Sequence, residues 1–231
     1  MTALLHFDIA QGRCLDLVPT RLVIAGWTGR DAAAIAHHIE ELAAIGVPRP
    51  STVPLYYRVA CAQLSQQPVV EVLGDASSGE VEPVLVRAQG RWWLTVGSDH
   101  TDRALEAHAV DVSKQLCPKP LATQAWAWDE LADRADALQL HSEIEEGGQW
   151  VRYQQGTLAQ IRPLASLVAG LPADVAVEDG LVMFCGTFGV LPDAQGRGVR
   201  PAARMRLQLA DALTGRRIEH AYECRTLPRV A

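Results

Sequence analysis

The sequence predicts a β-dominated α+β domain of 231 residues. Three observations carry this reading. Short segments of apolar or alternating residues recur along the whole chain. Turn signals at Gln11-Gly12, Ala88-Gln-Gly-Arg91, Glu146-Gly-Gly148 and Asp211 to Gly215 join several of them as hairpins. Helical periodicity is confined to three or four short stretches that do not alternate with strands, which excludes a doubly wound parallel sheet.

The elements follow in order. Ala3 to Ile9 reads as a strand, Gln11-Gly12 as a turn, and Leu15 to Ala25 as a further apolar stretch broken by Pro19. After the loop Gly26-Trp-Thr-Gly29, a helix is predicted from about Ala32 to Ile45, with Asp31 as N-cap and Gly46 as its stop. Val47 to Pro54 is a proline-punctuated connection, and Pro68 to Leu73 is a strand. Glu80 to Val86 and Trp92 to Val96 form a hairpin, in which Pro83 points to a sheet edge or a bulge. Asp102 to about Asp111 and Ala125 to Leu138 are predicted helices, and Arg162 to Leu171 is a short one. Leu140 to Glu145 with Gln149 to Leu158 is a hairpin, Leu181 to Phe184 a strand buried on both faces, and Pro201 to Leu209 with Arg217 to Thr226 a final hairpin.

Bulk properties narrow the function classes. A formal charge of -6 argues against nucleic acid or an anionic membrane surface as the main partner. No apolar run reaches spanning length, and the N-terminal stretch lacks a basic flank followed by an apolar core. The cysteines Cys14, Cys61, Cys117, Cys185 and Cys224 are odd in number and scattered, which suggests reduced thiols in the cytoplasm. The expected organisation is a β-rich N-terminal segment, residues 1–26, ahead of one main domain, residues 27–231.

Chemistry concentrates between Ser78 and Arg103. Residues two apart on a strand share a face, so Glu80 and Glu82 present their carboxylates together. A turn can add Asp99, completing an all-oxygen set suited to a hard divalent cation. The bland reading is a solvated strand face. In the first helix, Ile35, Ile39, Leu42 and Ile45 define the apolar stripe, with His38 inside it and Glu41 at its border, whereas His37 and Glu40 face away. His38 and Glu41 are therefore the pair able to act as an oriented acid–base dyad. Tyr56 and Arg58 are candidates to line a pocket for an anion or to serve as ordinary strand residues. Lys114 or Lys119 offers a cation in a loop.

These motifs resemble the fumarylacetoacetate hydrolase superfamily, and a bacterial branch of unknown function in particular. The resemblance rests on His38-Ile-Glu-Glu41, Glu80-Val-Glu82, Asp99-His-Thr-Asp-Arg103, Lys114 and Gly186-Thr-Phe-Gly-Val190, in that order. It implies a mixed β-roll or β-sandwich with Mg²⁺ or Mn²⁺ held by Glu80, Glu82 and Asp99. It further implies a small carboxylate substrate, a 2-oxo acid or 1,3-dicarbonyl compound, processed through a metal-bound enolate by hydrolysis, decarboxylation, hydration or tautomerisation. Lys114 and Thr187 would contact the substrate, with Gln155 a further candidate, and Arg103 would brace Asp99. A homodimer is implied as well. The chain departs from the family pattern in a shorter segment between Glu82 and Asp99 and in Phe188, where the loop usually carries proline. Two alternatives stand beside this one: a non-catalytic carboxylate-binding protein of the same fold, and a hydrolase using Cys117 or Cys185 as nucleophile.

Overall fold

The computed structural model describes residues 3–44 and 49–230, without the side chains of His38, Glu41 and Leu42. The architecture is two facing sheets. One has six strands in the order Trp126–Ala127, Arg91–Ser98, Val81–Ala88, Leu181–Phe184, Arg21–Gly26 and Leu55–Val59. The other has five, in the order Gln149–Thr157, Gln139–Glu146, Arg204–Asp211, Arg216–Leu227 and Val69–Leu73. Most neighbours are antiparallel, with Leu181–Phe184 parallel to Arg21–Gly26 and Arg216–Leu227 parallel to Val69–Leu73.

The core lies between the sheets, where Val23, Leu85, Leu94 and Met183 meet Leu140, Tyr153, Leu207 and Ile218. The opposite face of the six-stranded sheet is covered by an N-terminal hairpin, Leu5–Ile9 with Arg13–Leu17. Its inward residues Leu5, Phe7, Leu15 and Leu17 pack on Leu22, Ile24, Val84 and Phe184. That double cover is why Leu181–Phe184 is apolar at every position and buried at every position. Arg21–Gly26 pairs on both sides within this sheet, so the described residues 3–26 are built into the same body as the strands that follow.

The predicted hairpins form with their expected turns. The first helix runs Ala32–Ala44, and Asp31 Oδ1 caps it by accepting from the amides of Ala33 and Ala34 at 2.9 and 3.0 Å. Three expectations need correcting. Pro83 sits in a central strand rather than at an edge. In an antiparallel ladder a residue's N and O face the same neighbour, and the Pro83 carbonyl accepts from the Cys185 amide, so the missing N–H falls just past the end of Leu181–Phe184, where the neighbouring strand runs out. Ala125 to Leu138 is not a helix. Trp126 and Ala127 pair with Leu94 and Trp93, and 3-10 turns at Trp128–Glu130 and Ala132–Ala137 follow. Strand pairing there outweighs a modest helical preference, and the turns still bury Leu131 and Leu138. The helix expected from Asp102 is two short ones, Arg103–Glu106 and Val110–Gln115, the first capped by Asp102.

Candidate active site

The strands Val81–Ala88 and Arg91–Ser98 end together, with Val81 opposite Ser98. One residue further, the Asp99 amide donates to the Glu80 carbonyl at 3.0 Å, so Glu80 and Asp99 are held side by side. Glu82 and Asp99 are buried, and Glu80 keeps part of its surface.

Buried carboxylates need cations, and the following segment delivers them. The helix Val110–Gln115 places Lys114 Nζ in an ion pair with Asp99 Oδ2, 5.6 Å from the centre of the Tyr57 ring. Lys119, fully buried, lies 3.1 Å from Asp99 Oδ1. Its three protons are spent on the carbonyls of His100, Lys114 and Cys117, at 2.6, 2.6 and 3.0 Å. Asp99 Oδ1 is therefore ion-paired with Lys119 but has no hydrogen-bond donor aligned on it. Burial alone raises the Asp99 pKa, but Lys114 and Lys119 outweigh it and hold the carboxyl at about 2.

Glu82 is the opposite case. Burial and the neighbouring Asp99 push its carboxyl well above the usual range, while Lys114 and the Gly186 amide, donating to Oε2 at 2.8 Å, pull the other way. Arg103 braces Glu80 rather than Asp99. It lies 3.2 Å from the Glu80 carboxylate, donates to Ser78 Oγ at 2.6 Å and pairs with Glu106 at 2.8 Å.

The Gly186–Thr187 loop closes one side. Thr187 Oγ1 donates to the Val81 carbonyl at 2.7 Å and accepts from Gln154 Nε2 at 2.9 Å, while Gln154 Oε1 accepts from the Val81 amide. Gln155, named from the sequence, is exposed, and Gln154 is the buried glutamine. A bulge opposite Ser142 and Glu143 shifts the register so that Tyr153 and Gln154 both turn inward, which simple alternation does not anticipate. Gly186 has φ +91°, and a β-carbon there would lie 1.7 Å from Thr28 Oγ1. Gly186→Ala is accordingly expected to cost about 2–4 kcal/mol in a urea titration and to release the amide from Glu82. A loss below about 1 kcal/mol would mean that the loop relaxes freely.

The other candidates are placed as follows. Tyr56 donates to the Leu167 carbonyl at 2.9 Å, and Arg58 is exposed and pairs with Asp174 at 3.1 Å. The tyrosine beside the lysine is Tyr57, which the alternation of Leu55–Val59 turns to the other face. His38 and Glu41 fall on the helix Ala32–Ala44, and their side chains lie outside the described ones. Cys185 is buried, its thiol pushed up by burial and by Glu82, which makes it a poor nucleophile. Sequence reasoning underweighted Lys119, although two prolines and apolar neighbours around it signal an ordered, buried lysine. It also missed His100, buried with Nδ1 3.0 Å from Ser77 Oγ and Nε2 2.7 Å from Tyr222 Oη.

Residues 25–222 match the family described as "Protein of unknown function (DUF2848)". The chain belongs to the DUF2848 family. Its fold is that of fumarylacetoacetate hydrolase superfamily enzymes. A putative fumarylpyruvate hydrolase from Burkholderia cenocepacia superposes with TM-score 0.62 at 18% identity, over 100% of this chain and 97% of the other. A 2-keto-3-deoxy-D-arabinonate dehydratase complexed with magnesium and 2,5-dioxopentanoate gives 0.63 at 14% identity, over 91% and 74%. The 4-oxalocrotonate decarboxylase from Pseudomonas putida G7, complexed with calcium and acetate, gives 0.55 at 13%, over 89% and 76%. No curated protein sequence matches the chain. Among the described residues of this DUF2848 member, no helix is long and apolar enough to cross a membrane.

The DUF2848 site offers a hard cation only carboxylate oxygens from Glu80, Glu82 and Asp99. The oxygens of the three do not all come within 4.8 Å of one another, because Glu80 is turned to Arg103 and Asp99 to the lysines. The chemistry of the set nonetheless suits Mg²⁺ or Mn²⁺: hard donors, a buried oxygen on Asp99 with no hydrogen-bond donor aligned on it, and two buried carboxyls whose mutual repulsion a cation relieves.

Proposed function

We propose that this protein is a divalent-metal-dependent hydrolase or lyase acting on a 2-oxo acid or 1,3-dicarbonyl carboxylate. The observation that carries the reading is the buried group of Glu82, Asp99, Lys114 and Lys119 at the joint end of two core strands, beside the Gly186–Thr187 loop. So many ionisable side chains withdrawn from water are costly for a fold and are a mark of functional sites. Glu80, Glu82 and Asp99 would hold the cation, which when bound supplies a Lewis acid polarising the 2-oxo group.

The chain's own residues do the rest. Lys114 supplies fixed positive charge next to Asp99, where a substrate carboxylate or developing oxyanion gains from it. Lys119, locked by three carbonyls, is a fixed counter-charge for Asp99, although burial pulls its pKa below the usual lysine value. Thr187 and Gln154 fix the loop that lines the substrate's side. His38 with Glu41 is the proposed acid–base pair that moves the proton. The proposed partners are the small carboxylate substrate and, from the resemblance alone, a second copy of the chain.

The test is thermal stability with oxalate, a planar mimic of a 2-oxo-acid enolate, in Mg²⁺ and then in EDTA. A ligand that binds only the native state raises the melting temperature by mass action. The expected result is a shift that needs both oxalate and Mg²⁺ and vanishes in Glu82→Gln. A shift with oxalate in EDTA would favour a metal-free carboxylate-binding protein, and no shift at all would sink the chelating site. His38→Ala is expected to retain the shift and lose turnover of a 2-oxo-acid substrate, with His37→Ala mild.

A further inference from the structure

A second constellation lies on the outer face of the N-terminal hairpin, far in kind from the buried carboxylates. Leu5–Ile9 and Arg13–Leu17 turn their apolar residues inward, leaving His6, Asp8, Cys14 and Asp16 exposed on the other face. Strand register makes these a rectangle: His6 is directly opposite Asp16, and Asp8 directly opposite Cys14. His6 Nε2 lies 3.8 Å from Asp8 Oδ1, and Cys14 Sγ lies 3.8 Å from the same oxygen. Among the described residues, His6, Asp8 and Cys14 form the one group of three ligating side chains whose donor atoms all fall within 4.8 Å of each other.

A polar hairpin face is ordinary, and two further observations separate this one from that background. The first is the orientation of His6. Its Nδ1 lies 2.6 Å from Asp16 Oδ1, so the carboxylate is placed to hold the ring through Nδ1 and to turn Nε2 toward Asp8. Metal-bound histidines have this arrangement, in which a carboxylate orients the ring and raises its basicity. The second is rigidity. Gln66 clamps the His6 backbone from both sides, accepting from its amide at 2.8 Å and donating to its carbonyl at 2.7 Å. The Asp8 amide donates to Thr123 at 2.7 Å, and the Asp8 carbonyl accepts from Ala125 at 3.1 Å. Two of the three ligand-bearing positions, His6 and Asp8, are thus tied to the body of the protein, as a preformed site requires.

We propose that His6 Nε2, an Asp8 carboxylate oxygen and Cys14 Sγ form a binding site for Zn²⁺ or a similar borderline-soft divalent ion, with Asp16 as the positioning residue of His6. In a tetrahedral zinc site with ordinary bond lengths, neighbouring N, O and S donors are separated by about 3.3–3.6 Å. Asp8 Oδ1 is a few tenths of an ångström further than that from both His6 Nε2 and Cys14 Sγ, and all three donors lie within 4.8 Å of one another, gaps that rotation of exposed side chains closes. A nitrogen, an oxygen and a thiolate select against Mg²⁺ and Ca²⁺, which take oxygen alone. Three protein ligands leave the fourth position to water or to an added small ligand.

The experiment is titration of the full-length, EDTA-stripped protein with Co²⁺, followed by its thiolate-to-metal charge-transfer absorption. This readout is blind to the all-oxygen site, so failure of the proposed enzyme function leaves it unaffected. The expected result is one band saturating at a single equivalent, bleached by Zn²⁺ and abolished in Cys14→Ser. His6→Ala is expected to weaken binding strongly, and Asp16→Ala by about 10–100-fold. All three positions are solvent-facing, so the variants fold. Absence of the band, or a band that survives Cys14→Ser, overturns the proposal.

Discussion

Asp99→Asn is expected to lower stability by about 3–5 kcal/mol, whereas Glu82→Gln, in the same buried site, is expected to leave stability unchanged or raise it at neutral pH. The opposite signs follow from what each carboxylate faces. Asp99 is the shared counter-ion of Lys114 and Lys119, both buried. Neutralising it strands two ammonium groups, and an uncompensated buried charge is among the costliest lesions a core can carry. Glu82 has the Gly186 amide and a repulsive neighbour in Asp99. Its pKa in the folded protein lies above the unfolded value. Between those two values the native state holds a proton that the unfolded chain has released, so stability falls as pH rises through that window. Glutamine keeps an acceptor for Gly186 and removes that liability. Urea midpoints for both variants at neutral pH in EDTA decide the matter, and equal destabilisation by the two would refute the assignment of Asp99 as the paired group.

The second large effect is a loss of stability in acid carried by His100. Burial first, and then Lys119, lower its pKa from 6.5 to about 3. Unfolded chains therefore bind a proton that the native protein refuses, and the contribution is lost as pH falls from about 6.5 toward 3. Each pH unit in that window is worth about 1.4 kcal/mol, so His100 accounts for about 3 kcal/mol of the fall between pH 7 and pH 4. His220, lowered by burial to about 4, adds to it. His100→Gln is expected to be less stable than wild type at pH 7, having lost bonds to Ser77 and Tyr222, yet to lose less between pH 7 and pH 4. Parallel decline of the two proteins would assign the acid sensitivity elsewhere.

Much of this was legible before the structure. Alternation and turn residues located the hairpins Val81–Ala88 with Arg91–Ser98, Gln139–Glu146 with Gln149–Thr157, and Arg204–Asp211 with Arg216–Leu227, because strand period and turn chemistry are local properties. The ordered motifs likewise pointed to a fumarylacetoacetate hydrolase-like fold, which the solved structures bear out. The spacing of Glu80 and Glu82 singled out the end of one core strand as the place for chemistry.

What only the tertiary structure decided is which charges meet. Nothing local sends Arg103 to Glu80 instead of Asp99, or buries Lys119 under three carbonyls. Nothing local says that Gln154 rather than Gln155 reaches Thr187, since a bulge resets the phase, or that Trp126 joins a sheet edge instead of a helix. Local sequence sets the period of a segment and the conformation of a turn. The partner of a buried ion is set by segments far apart in the chain, brought together by the packing of the two sheets, and by the electrostatic cost of leaving any charge among them unpaired.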